Sequence, residues 1–220
     1  MTTSAAEPAG RRPWGSLDRA QIVTAALDLA RREGLAALTI RRLAAETGAS
    51  RMALYRHVPD KEALLEMVAN AIADHEIIPE EARHGPWSRR LRHLAHGMRG
   101  QAVRYPGLAD LIMTRGNHGP GGLRLAETIL DILADAGLGE DATARFYLIF
   151  VDIVLGRAHR ETHGDPTTPQ RNAALFAAAE SDDDVPRLRA LTPRLRTVTP
   201  GDVFDAELDM LVLAVEAAAR

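Results

Sequence analysis

LTIRRLAAETGASRMALYRHVPDKEALL, residues 38 to 65, decides the fold of this chain. Ile40, Leu43, Ala44 and Thr47 recur at helical spacing and share one face, with Arg41 and Arg42 left outside. Thr39 stands where an N-cap belongs, and Gly48 supplies the left-handed conformation that ends the helix. Ser50, two residues on, can cap the next helix, so the turn is only about three or four residues long, the length of a helix-turn-helix. In that second helix, expected to run about eight residues, Leu54 and Val58 face inward against the first helix and Leu38. Arg51, Met52, Tyr55 and Arg56 stay outside. A helix so short is marginal in water and must be held by packing, which is how a rigid probe is offered to the major groove. Pro59 stops it; Asp60 can cap a third segment whose first turn carries Lys61, the chain's one lysine. Lys61 is well placed there for a backbone phosphate.

Residues 19 to 75 resemble the DNA-binding domain of the tetracycline-repressor-like (TetR) family of transcriptional regulators, through IVTAALDLARREGLAALT, IRRLAAETGAS and LYRHVPDKEALL. The resemblance implies DNA contacts from Arg41, from Arg51, Met52, Tyr55, Arg56 and His57 in the recognition helix, and from Lys61. Arg41 and Arg51 would read base edges, ideally guanine O6 and N7, and Met52 would touch a thymine methyl. Tyr55, His57 and Lys61 would position the protein on phosphates. His57 is equally placed to pack at the helix end. Taken singly, an exposed arginine is usually a solvated one; placement within the motif is what argues for contact.

Net charge is −3 over 220 residues, which is unhelpful for a DNA binder until it is counted by region. Residues 39 to 61 hold Arg41, Arg42, Arg51, Arg56 and Lys61 against Glu46 and Asp60. The basic surface is local, and Arg11 and Arg12 in an amino-terminal arm add to it. With 46% hydrophobic residues, the expected division is a flexible arm over 1–17, a helix-turn-helix domain over 18–75 and a larger domain over 76–220. The chain has no cysteine, which excludes disulfides and thiolate metal sites. No apolar run nears 18 residues and no signal-peptide pattern is seen, so a cytoplasmic protein is expected. Arginine outnumbers lysine 26 to 1 beside abundant alanine, a mark of a GC-rich genome.

Beyond residue 75 the periodicity stays helical, so the expected class is all-α: a three-helix amino-terminal domain and a larger helical ligand-binding and dimerisation domain. There is no strand run, Walker loop or GxGxxG, and no cofactor is called for. Helices are expected over about 87–104, 107–114, 123–136 and 143–160, with NHGPGG at 117–122 as a loop. FYLIFVDIVLG, residues 146–156, is apolar nearly all round and should be buried on two sides. A last helix over about 202–219 aligns Phe204, Leu208, Leu211, Val212 and Val215. These two stripes could pair across a two-fold axis as a four-helix bundle, or be plain core. A homodimer would carry two recognition helices to a palindromic operator. Proline-broken HGDPTTPQ (163–170) and SDDDVPRLRALTPRLRTVTPG (181–201) read as a mobile connection around a short helix near 170–179.

The family resemblance also implies a pocket for a small-molecule effector. Spacing would line it with Leu94, Met98, Ile112, Met113, Ile129, Leu133, Phe150 and Val154, each of which could equally be core. The carboxyl half weakly resembles the tetracycline repressors themselves, through WSRRLRHLAHGMRGQAVRYPG and VLG. At their drug-contacting positions it aligns Leu94, Met98, Ile112 and Arg160, which argues against tetracycline with magnesium and for an apolar or aromatic effector. His93 and His96, three apart, could chelate a metal with His118, but no completing carboxylate is evident, and no metal site is assigned. Asp182 to Asp184 have no apolar setting for catalysis. No nucleophile, base and orienting group can be assembled, so an enzyme is not expected. A ligand-responsive repressor is the reading favoured; an activator, or a small-molecule binding protein with the same DNA module, is the alternative.

Overall fold

Four side-chain oxygens decide where the first four helices begin. In the computed structural model, which describes residues 18–163 and 168–220, α1 (Arg19–Glu33) starts on a capping box between Asp18 and Gln21. Helix α2 (Ile40–Thr47) starts on Thr39, α3 (Arg51–Tyr55) on Ser50 and α4 (Lys61–His75) on Asp60. Each cap accepts a backbone N–H of the first turn, from Arg42 at 3.1 Å, Ala53 at 3.1 Å and Ala63 at 2.7 Å respectively. Gly48 ends α2 with φ 68° and ψ 12°, the left-handed geometry the sequence called for. Ile40, Leu43, Leu54 and Val58 are buried with Leu38, Ile22 and Leu29. Burying each such side chain contributes about 1.5–3 kcal/mol, which is what holds so short a helix as α3.

Helix α4 turns Leu64, Leu65, Met67, Val68, Ala69, Ala71, Ile72 and Ala73 inward, on more than one side. It joins the head, formed with α1–α3, to the body that follows in one continuous apolar core. In the body, α5 (Trp87–Arg104), α6 (Leu108–Arg115), α7 (Pro120–Ala134) and α8 (Glu140–Thr162) pack around Leu91, Leu94, Ile129, Leu133, Phe150 and Val154. Then come α9 (Thr168–Ser181), α10 (Pro186–Leu195) and α11 (Pro200–Ala218). The described residues are all helix, turn or loop, with no strand, and no helix is long and apolar enough to cross a membrane.

Three expectations are corrected. NHGPGG is not wholly a loop, because α7 begins at Pro120, whose missing N–H costs nothing in a first turn. Gly121 and Gly122 are helical and buried; a Cβ on Gly121 would lie 2.4 Å from the Asn70 carbonyl, so the glycine lets α7 rest backbone to backbone on α4. Residues 186–195, expected within a mobile connection, form α10, and Pro200 opens α11 behind a Thr199–Asp202 capping box. Pro186 and Pro200 sit in first turns, where they start helices instead of breaking them, while Pro193 lies within α10. Last, Phe204, Leu208, Leu211, Val212 and Val215 all turn into their own chain, because α11 must close the body's core over α8. The outward face of α11 is a different one, with Met210 63% and Leu213 64% exposed beside Ala206 and Ala214. The arm over residues 1–17, with Arg11 and Arg12, and residues 164–167 of HGDPTTPQ lie outside the described residues.

Candidate nucleic-acid interface and effector cavity

The head's outer face follows from its inner one. Because Leu54 and Val58 fill the core, Arg51, Met52, Tyr55 and Arg56 are driven outward, with Met52 74% and Tyr55 46% exposed. Such exposure of large apolar groups is the informative kind on a small domain. Helix α3 is shorter than expected, ending at Tyr55; Arg56 caps it, and His57 lies in the following turn. The His57 side chain is exposed, not packed at the helix end. Arg41 lies exposed on α2, and Lys61 opens α4, where unbonded N–H groups favour an anion.

Charge pairing separates the basic residues. Arg42 donates to Glu33, with Nε to Oε2 at 3.3 Å, and Arg32 pairs with Glu46 at 2.7 Å. The Arg42 hydrogen bond holds the Glu33 carboxyl below the ordinary carboxylate range. Among the described residues, Arg41, Arg51, Arg56 and Lys61 have no carboxylate in ion-pair reach. The cations aligned with the motif are thus the ones left for an external anion.

Within the body lies a cavity of about 550 Å³, of the size that holds a small molecule. Met98, Ile112, Met113 and Ile129 line it, four of the eight residues expected to do so. Leu94, Leu133, Phe150 and Val154 do not; they are fully or almost fully buried in the close-packed core behind its wall. Periodicity identifies the apolar face of a helix but not which part of that face meets a void. The walls missed by sequence reasoning are Ala69 and Ala73 from α4, Ile77 just beyond its end, and Leu125, Ala126, Tyr147 and Val151 from α7 and α8. The signal for α4 was present in LLEMVANAIA, too apolar for a helix with only one buried face. Asn117, His118 and Asp152 give the lining its polar points.

Head and body meet at Tyr105-Pro106-Gly107, read from sequence only as a helix stop. The buried Tyr105 hydroxyl accepts from Arg31 Nη2 at 2.7 Å and donates to the Glu76 carboxylate at 3.0 Å. Burial pushes that hydroxyl above the ordinary phenol range, so it remains a donor. Leu35 N–H donates to the Pro106 carbonyl at 2.8 Å, and a Cβ on Gly107, the residue before α6, would meet Leu35 at 3.5 Å. The histidines proposed as metal ligands do not converge: His96 pairs with Asp205 at 3.1 Å and meets the Phe204 ring edge-on, while His118 lines the cavity. Arg160 is exposed and does not line the cavity.

Known proteins share this arrangement. Residues 22–68 match the sequence profile described as bacterial regulatory proteins, tetR family, and residues 78–217 that of the tetracyclin repressor-like C-terminal domain. The HTH-type transcriptional repressor DrrR1 of Streptomyces coeruleorubidus is 30% identical over 154 residues, 70% of this chain and 56% of that protein. The class D tetracycline repressor protein of Escherichia coli is 36% identical over 90 residues, 40% of this chain and 41% of that one. The matches thus span about half the length of these curated relatives. In fold, the crystal structure of apo ActR from Streptomyces coelicolor superposes with a TM-score of 0.81 at 23% identity, over 94% of this chain and 98% of that one. With the head matched by one profile, the cavity-bearing body by another and the whole architecture shared, the chain belongs to the TetR family of bacterial regulatory proteins.

Proposed function

We propose that this protein is a ligand-responsive DNA-binding transcriptional regulator, acting in the cytoplasm as a repressor. It holds a palindromic operator as a homodimer and is released by a small, largely apolar effector. The observation that carries this reading is the coexistence of unpaired cations on an exposed α2–α3–α4 face with a cavity of about 550 Å³ in the body joined to it. Arg41 and Arg51 read bases; Tyr55, Arg56, His57 and Lys61 hold the backbone, and Met52 packs on a thymine methyl. The effector lies among Met98, Ile112, Met113 and Ile129, oriented by Asn117, His118 or Asp152. Its route to the head is short, since α6 carries Ile112 and Met113 and follows directly on Pro106, whose carbonyl accepts from Leu35 N–H.

The second copy packs on α8 and α11, where Leu148 (61% exposed), Ile149, Met210 and Leu213 have no cover among the described residues. Leu213→Asp should yield a monomer that keeps its helix content and binds operator weakly; a dimer in sedimentation would overturn this face. The reading as a whole is tested by selecting fragmented genomic DNA on the purified protein at near-physiological salt. A recovered palindrome is expected, whose neighbouring genes narrow the effector; retention of DNA without a common motif would overturn it.

A further inference from the structure

Between α6 and the end of α8, three side chains outside the cavity lining meet without a role in the reading above. Asp110 stands in the first turn of α6; His159, and His163 four residues on, share one face at the end of α8. One donor atom from each lies within 4.8 Å of the other two. His159 Nδ1 is 2.5 Å from Asp110 Oδ1, and His163 Nε2 is 2.8 Å from Asp110 Oδ2. The two imidazoles stack, centroids 5.0 Å apart and planes 14° from parallel. Beneath them Ala102, Ala109 and Ala158 pack together, small side chains that fix α5, α6 and α8 at close range.

Hydrogen bonding determines which nitrogens are free. The Thr162 hydroxyl donates to the Ala158 carbonyl at 2.9 Å, so at 3.0 Å it can only accept from His163 Nδ1. With Nδ1 donating there, Nε2 is the nitrogen that faces Asp110 Oδ2, a contact that needs either a proton or a bound cation between the two atoms. His159 Nδ1 is closed off from solvent and, despite its short approach to Asp110, is not aligned for a hydrogen bond. Protonating both rings would stack two cations face to face over a single carboxylate. One divalent ion satisfies all three donors, and the carbonyl end of α8 favours it further.

We propose that Asp110, His159 and His163 form a binding site for a divalent transition-metal ion, clipping α6 to the end of α8. Two imidazoles and one carboxylate are a donor set for zinc, cobalt or nickel, with water in the remaining positions; calcium and magnesium prefer all-oxygen shells. The Thr162 hydroxyl orients the His163 ring from behind, as outer partners of metal-binding histidines do. Each ligand side chain is about 40% exposed, so the ion and its waters have access.

The test uses the full chain without a histidine tag, stripped with a chelator and titrated with Zn²⁺ by calorimetry and with Co²⁺ by visible absorption. One ion per chain is expected, with a rise in melting temperature. Asp110→Asn and His163→Gln, on different helices, should each weaken binding by more than about tenfold while leaving the metal-free melting temperature unchanged. His93→Gln with His96→Gln should leave it intact. Absence of saturable binding, or loss of it in the His93/His96 variant but not in the other two, would overturn the site. Were one of the two ligand variants to misfold, the other still decides.

Discussion

The first four helices and the next four begin in different ways. Asp18, Thr39, Ser50 and Asp60 each offer a side-chain oxygen to the first turn of α1 to α4. At the corresponding positions of α5 to α8 stand Pro86, Gly107, Gly119 and Gly139, none with a side-chain cap. The two helices of the helix-turn-helix have ends that must be held chemically, since α2 and α3 run only eight and five residues. The helices α5 to α8 of the body are located by what they bury, and their ends fall where neighbouring backbone allows. A DNA reader needs fixed positions for a few exposed cations, and local capping supplies that. An effector cavity needs walls from several helices, and only tertiary packing supplies those.

If that contrast is right, the largest effect in the head should come from its small core. Leu54→Ala leaves a hole under α3 and should cost about 2–5 kcal/mol, with operator binding lost before helix content falls; chemical denaturation beside DNA binding would check it. A cost under about 1 kcal/mol would mean that the caps, not the packing, hold the recognition helix. The counterpart in the body is Gly121→Ala, where the new Cβ meets the Asn70 carbonyl and pushes α7 off α4. About 1–3 kcal/mol of overpacking is expected by the same denaturation measurement, and an unchanged midpoint would remove the close approach as a determinant of the cavity wall.

Smaller effects sharpen the division of labour within the head. Arg51→Ala should cost about 1–3 kcal/mol on a specific site and relax preference at one base position, measured by competition between selected and random duplexes. Equal loss on both would make Arg51 a phosphate contact. Lys61→Ala should weaken all duplexes alike and lower the slope of log affinity against log salt by about one; an unchanged slope would free Lys61 of that role. A charge at Val212 is no test of dimerisation, because the side chain is buried in its own chain and Val212→Asp would be a folding lesion.

What could be read in the residues tracks the same boundary. The starts of α2 to α4, the left-handed Gly48 and the outward Arg51, Met52, Tyr55 and Arg56 were legible because each depends on neighbours within about four positions. The extent of α3 was not, since Arg56 and His57 carry no stop signal of their own and only Pro59 does. In the body, Met98, Ile112, Met113 and Ile129 were placed at the cavity, whereas Leu94, Leu133, Phe150 and Val154 share their periodicity yet fill core. HxxH at His93 and His96 drew attention by spacing alone, while Asp110, His159 and His163 come together only when α6 folds back on α8.

By itself, the sequence determined the family, the all-helical class, the capped starts of α2 to α4 and the identity of the head's exposed cations. Those properties follow from hydrophobic period and local hydrogen bonding, which act over one or two turns. Only the tertiary structure decided which apolar side chains border a void, which face of α11 is left uncovered, that α7 rests on α4 through Gly121, and how Tyr105 ties the head to the body. Each of these depends on distances between helices far apart in the chain, and packing sets those distances through the volumes of side chains that no local pattern relates.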